Sequence, residues 1–530
     1  MKNKIRKMLS CLLVAAMLLT AAPLSGFVGL KLDLPSFGTE ASAVSLPSSG
    51  KCGENAIYTF NEVSGLLTIS GTGAIDGSAF EMHTEIRSVV IEDGITEIGD
   101  SAFNACVNIF EIKIPDSVTK IGKYIFDGCP GPLSITIPSS VTSISDNAFG
   151  VQKIFVHKGS FAEQYASENS LDYITLEEIP DDVGYVEGGF GDSFYWMVDK
   201  ATETLKVRMN TNLPWEGDCA PWLPYKDYIK HVTSKGFYFV DNVFKYCDKL
   251  EEVPYAESIS NLGKNAFYGC TSLKSVSLPK LKTIGSGAFY GCSGLTDVTI
   301  SSNNSISIDD SAFLNCVNLK SITLPSNLWK IGAYSFYNCL QLSNVGLLAH
   351  VREIGDYAFA NCKAFTALLL PDSVTSIGRH AFDGCVNVKE LTLPCSAGLP
   401  RNGYAFGGCT NIEKITITAG TGTMQNFGPQ GQSKIATYKN APWYINREHL
   451  KEFMIADGIT NIGDYAFCGF DKASQLAIPQ TVTKIGASAF ENCSELTSLE
   501  IPEGVTSIGA SAFSGCSKLA SVNIPKDITK

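Results

Sequence analysis

Apolar and polar positions along this chain follow a unit that recurs about every 23 residues. The clearest copy runs through Val374, Ile377, Gly378, Ala381, Phe382, Cys385, Val388, Leu391, Leu393 and Pro394. Val388, Leu391 and Leu393 contain the alternation of a short half-buried strand. Pro394 ends it, having no N–H to give to a ladder. Thirteen phenylalanines, from Phe103 to Phe513, anchor the copies, and within each run they stand 22 to 24 residues apart. The Ala-Phe pair places a small residue beside a ring sized to fill an interior. Gly378 lies four residues before its Phe, and such a Gly recurs in ten of the thirteen units. A tight turn with φ > 0 is the expected reason. A unit this small cannot bury its own apolar face, so successive copies must stack.

The cysteines follow the same period. Twelve of the 17, from Cys106 to Cys516, stand three residues after such a Phe, Cys247 following Phe244 of a degenerate first unit. One residue per coil at one position lines one column, where Cys acts as a small buried hydrophobe with a weak S–H donor. Disulfides and a thiolate metal site are the competing readings, and no C-x-x-C or H-x₃-H pair supports the metal. Cys52, Cys219, Cys395 and Cys468 fall outside the column and are the better disulfide candidates.

A longer duplication divides the chain. Ala56–Phe60 with Leu66–Ile69, and Phe194–Val198 with Thr204–Val207, each read as a β-hairpin preceding a run of repeats, placed to cover its open end. A helical stretch over 159–169 and a strand over 173–176 close the first run. The expected organisation is a leader over 1–43, a capped array over 44–178, a linker over 179–183 and a second array over 184–530. Residues 418–440 interrupt that second array as an exposed loop, although a third sub-array is a possible reading. The fold class is thus a leucine-rich-repeat solenoid with one short strand per unit, in two arrays with β-hairpin N-terminal caps.

Composition changes this picture at one end only. Lys2, Lys4, Arg6 and Lys7 precede an apolar run from Met8 to about Leu24, and Ala41, Ser42 and Ala43 form a small-residue cleavage pattern. A secretory signal cleaved after Ala43 is expected, with an uncleaved anchor as the alternative. The expected location is outside the cell or on its surface, with no membrane contact beyond that segment. A formal net charge of −12 argues against nucleic acid or anionic lipid as a partner.

The Gly, Ala-Phe, Cys and Ile-Pro positions at fixed offsets resemble those of the BspA-like leucine-rich-repeat family of bacterial surface and secreted proteins. The capping hairpins and the segments at Ala220–Trp222 and Ala441–Trp443 resemble that family too. The resemblance implies an extracellular solenoid, in some members an adhesin, and it brings no catalytic residues. Cell-attachment signals known in the family are missing from this sequence.

No nucleophile elbow, phosphate loop or metal-ligand spacing is present, so no catalytic residue, metal or cofactor is expected. Most of the six histidines occupy variable repeat positions, and each reads as exposed filler. Binding is argued from the strand face, where Thr299, Lys320, Thr323, Lys389, Glu390, Thr392 and Thr416 are expected outward, with the threonines in a column. Thr also suits any exposed strand, which is the plainer reading. Trp222 and Trp443 are aromatic candidates, with packing as the competing role. The expected function is an interaction or adhesion solenoid that binds a protein or glycan on a cell surface or matrix. The alternative is a structural or targeting module of a larger exported protein.

Overall fold

The unit forms the tail strand expected from its alternation and, in addition, a second short strand just before the repeat glycine. Strands of successive units pair in parallel, so each array carries two ladders, here called tail and head. The computed structural model describes residues 45–528 except 63–64, 130–134, 151–152, 191–193, 210–219, 236–239, 254–255, 257–258, 347–349, 401–403, 420–421, 427–448 and 473–475. Two compact units divide the chain after Glu178.

In the second unit the head ladder runs unbroken through Asn261–Leu262, Thr283–Ile284, Ile306–Ile308, Leu328–Ile331, Glu353–Ile354 and Ser376–Ile377. The tail ladder comes as Ser275–Ser277, Asp297–Thr299 and Ser321–Thr323, then Ala367–Leu369, Glu390–Pro394, Lys414–Thr418 and Glu452–Ile455. Between these two groups Asn344 contributes a single bridge to Ser321. Equivalent residues face each other, as in Leu368, Leu391, Ile415 and Phe453, which fixes the apolar side inward.

The interior is a stack of rings. From Phe267 to Phe406 successive anchor rings lie 5.1 to 5.4 Å apart, with planes within 7°. Phe313, Phe336 and Phe359 are 0% exposed. The repeat glycine serves this spacing rather than a left-handed turn. Gly378 does not have φ > 0, but a Cβ there would lie 2.5 Å from the carbonyl carbon of Gly355, the glycine one coil earlier. Close approach of backbones is therefore what excludes a side chain. The left-handed residues come two positions later, at Tyr334, Tyr357 and His380, and just before the cysteine, at Asn315, Asn338 and Asn361. Asn tolerates that conformation, and these three also bond side chain to side chain across coils at 2.9 Å.

Both hairpins cap as expected, and each gains a third strand. Asn55–Asn61 pairs antiparallel with Leu66–Ile75 and with Ser49–Lys51. Phe194–Asp199 pairs with Thr204–Met209 and with Tyr185–Phe190. Residues 179–183, expected as a linker, adhere to the second unit: Ile179 is buried in its core, and Lys200 Nζ donates to Ile179 O at 3.1 Å and Asp181 at 2.6 Å. The first unit closes on helix Phe161–Glu168, N-capped by Ser160, and strand Tyr173–Leu176.

The expected exposed loop at 418–440 is corrected over its described part. Lys414–Thr418 pairs directly with Glu452–Ile455, so the tail ladder continues across the insertion. Thr423 bridges to Asn461, Met424 is buried, and Asn426 Oδ1 accepts from Asp464 N at 3.0 Å. Met424 and Asn426 take the Ile and Asp positions of a head strand, which a count of anchor Phe residues passes over.

Candidate interaction face

Most recurrent side chains are used in packing, and the cysteine column shows how. Eleven column thiols donate S–H to the carbonyl of the anchor Phe one coil earlier, at 2.9 to 3.3 Å. Burial pushes thiols inside the column up, Cys129 to about 12 and Cys316 and Cys339 further, whereas at its end the hydrogen bond with Cys493 lowers Cys516 to about 7. Neutral thiols of that kind are poor nucleophiles and poor metal ligands. Of the disulfide candidates, Cys52 and Cys468 are free thiols raised to about 11 and about 12, again by burial. Cys395 donates to Ala419 O at 2.7 Å, and Cys219 lies outside the described residues.

The tail ladder presents the outward rows. Thr299 and Thr323 are neighbours across one register step and both are exposed. Thr392 and Thr416 are neighbours in the second group and are half-buried. The expected threonine column is thus two pairs, separated at Asn344 and Leu369. Leu369 and Met454 continue the Thr392–Thr416 row on either side and are 63% and 46% exposed. Lys320, Lys389 and Glu390 are exposed. Beside them charges alternate along the array: Lys389 lies 3.9 Å from Glu413, Glu413 2.8 Å from Lys451, and Lys414 3.5 Å from Glu452. The Lys451 ammonium holds the Glu413 carboxyl below its ordinary range. The first group, by contrast, is a hydroxyl surface in which Asp297 accepts from Ser321 and Thr296 at 2.7 Å.

Trp222 is not a surface platform. It is 0% exposed, its ring lies 6.3 Å from both Phe194 and Phe244, and its Nε1–H donates to Val243 O at 3.2 Å. It joins the cap to the first ring of the stack. Trp443 lies outside the described residues. His380, expected as exposed filler, stacks half-buried on Tyr357 at 4.7 Å with Nδ1 2.9 Å from Asp383 Oδ2. Sequence reasoning missed the head ladder's outward column, where Trp329 is 40% exposed. The signal for it was the Thr that recurs three residues before the repeat glycine, as in Thr375.

Among the described residues no group of three or more His, Cys, Asp or Glu could hold a metal ion, and no helix is long and apolar enough to cross a membrane.

Paired parallel ladders around a stack of anchor rings, one coil per repeat, define a leucine-rich-repeat solenoid. The BspA-type leucine-rich-repeat model matches with 6 copies over residues 58–180, 238–366, 329–428 and 442–530. The chain belongs to that family. It is similar in fold to a leucine-rich-repeat protein of Bacteroides ovatus, at 20% identity over 89% of this chain and 94% of that one, with a TM-score of 0.32. A Eubacterium ventriosum leucine-rich-repeat protein shares 22% identity over 63% and 94%, with a TM-score of 0.26. A leucine-rich cell surface protein of Faecalibacterium prausnitzii shares 17% over 91% and 96%, with a TM-score of 0.22. No curated protein matches the chain.

Proposed function

We propose that the chain is an exported, non-enzymatic interaction protein that meets a protein partner outside the cell through the tail-ladder face of its second array. One observation carries this reading. The repeat uses Phe, Cys, Ala and Gly to build the interior and leaves Thr299, Lys320, Thr323, Lys389, Glu390, Thr392 and Thr416 along the two parallel sheets of the tail ladder. Extended faces of this kind serve solenoids as binding surfaces. The exposed Leu369 and Met454, flanking Thr392 and Thr416, add apolar contact area beside the ion pairs of Lys389, Glu413, Lys451, Lys414 and Glu452.

Export rests on the basic and apolar leader. Leu46 is buried and its N–H donates to Glu85 at 2.7 Å, so cleavage after Ala43 keeps the first anchored residue. N-terminal sequencing of the protein recovered from culture medium should begin at Val44; a protein retained intact in the membrane would overturn export. For binding, residues 44–530 are cross-linked to extracellular proteins of neighbouring cells. Capture should fall when Lys389→Glu is combined with Thr392→Asp and Thr416→Asp. Capture unchanged by that variant would move the site off this face.

A further inference from the structure

The head ladder carries a second face of different chemistry. Three residues before the repeat glycine or its replacement, seven of the thirteen units place a Thr, and six of these hydroxyls donate to the backbone of the preceding coil. Thr375 Oγ1 reaches Arg352 O at 3.2 Å, and Thr483 Oγ1 reaches Thr460 O at 3.2 Å. Trp329 takes this position instead and is 40% exposed. The strand before it, Ile306–Ile308, is one residue shorter than Leu328–Ile331, and the register shifts between Ile306 and Ser307. Only half-buried Ser307 therefore stands where neighbouring coils present two outward side chains. The result is a notch with Ser307 as its floor, Trp329 as one wall and exposed Lys282 on the coil beyond.

Charge around the notch runs against that of the chain, which holds 53 acidic and 41 basic residues. Exposed Arg352 follows Trp329 on the next coil, its N–H donating to Trp329 O at 2.9 Å. Lys330 Nζ lies 6.0 Å from the indole centroid and 3.6 Å from Glu353. Asp309 is engaged by the Ser307 hydroxyl at 3.2 Å. Among the described residues neither Lys282 nor Arg352 forms an ion pair.

We propose that this notch docks an extended acidic segment of a protein partner, an apolar side chain lying against Trp329 and carboxylates meeting Lys282 and Arg352. Trp and Arg are enriched among the residues that dominate binding energy at protein interfaces, Trp because it buries much area and loses little freedom. Unpaired cations select acidic partners. Lys282 and Arg352 are three strand spacings apart, about 14 Å, which about four residues of extended chain would span. The segment should thus carry two carboxylates about four residues apart with an apolar residue between them. The proposal rests on the interaction reading above and adds a second contact to it.

The test selects random displayed peptides on the full chain. Enriched peptides should carry the spaced acidic pair around Trp, Phe or Leu. Trp329→Thr, which restores the usual repeat residue and so keeps the fold, should weaken a selected peptide roughly thirtyfold, the size of a hot-spot truncation. Arg352→Ala should weaken it about tenfold, and Thr392→Asp should leave it unchanged. Selected peptides without acidic pairs, or insensitive to Trp329→Thr, overturn the proposal. Trp329-dependent binding of heparin oligosaccharides without peptide enrichment overturns it in favour of an anionic glycan. Peptides lost in Thr392→Asp but kept in Trp329→Thr sink this inference and leave the interaction reading standing. Loss of neither with intact binding elsewhere sinks both sites.

Discussion

The two compact units stack the same repeat and dress it differently. Residues 45–178 hold 18 Asp and Glu against 7 Lys and Arg, whereas residues 179–530 hold 33 against 29. Their interiors hardly differ. Phe80, Phe103 and Phe126 stack at 5.6 and 5.7 Å in the first, and Phe313, Phe336 and Phe359 at 5.2 and 5.1 Å in the second. In the first unit the lysines are mostly taken, Lys120 by Glu97 and Lys123 by Asp100, which leaves the remaining carboxylates in excess. In the second, Lys389, Glu413 and Lys451 alternate and nearly balance. The interior is constrained by the coil spacing and the outside is not, so any difference in use between the units lies in outward residues.

The largest expected effect tests the sameness of the interiors. Phe336→Ala and Phe103→Ala should each cost about 3–5 kcal/mol in denaturant unfolding, as large core truncations do. A negligible loss at either would break the equivalence. Next comes the column of thiols: Cys339→Ala removes the S–H donor from Phe313 O, which keeps the Cys316 N–H at 3.1 Å, and should cost about 0.5–1.5 kcal/mol. Cys339→Ser keeps a donor and should recover part of that. Thiol titration of the unfolded, unreduced protein should find the column cysteines reactive, while in the native state all but half-buried Cys516 stay silent.

Smaller effects separate the surfaces. Hydrogen bonds from Leu46 and His83 outweigh burial at Glu85 and hold its carboxyl below the ordinary value. A depressed carboxyl stabilises fully above the unfolded value of about 4.3 and loses that contribution as pH falls through its lower folded value. The exchange protection factor of the Leu46 amide should therefore fall on acidification, and Glu85→Gln should show the lower protection already at neutral pH. Smallest is the response to salt. Screening should raise exchange protection in residues 45–178 more than in 179–530, because only the first has a large acid excess to screen. Equal responses would remove charge as the distinction.

Much of this was legible in the sequence. Helix Phe161–Glu168, strand Tyr173–Leu176 and both hairpins fall where local patterning places them. The head strands were not, since Thr283–Ile284 and Ser376–Ile377 are two residues long and show no alternation to detect. Trp222 was a surface candidate because an aromatic beside Pro looks the same in sequence whether it faces water or a cap. On the tail ladder the outward identity of Thr299 and Thr323 was readable from alternation, but the break at Asn344 was not.

By itself the sequence determined the solenoid, the ring stack and the cysteine column, because a side chain repeated once per coil can line only one row. Tertiary structure decided what each row touches. Gly378 is required by the backbone of Gly355, the Cys385 thiol is satisfied by the Phe359 carbonyl one coil away, and Trp329 stands open because the strand before it is one residue short. Those relations lie between units about 23 residues apart, and register rather than local pattern sets them.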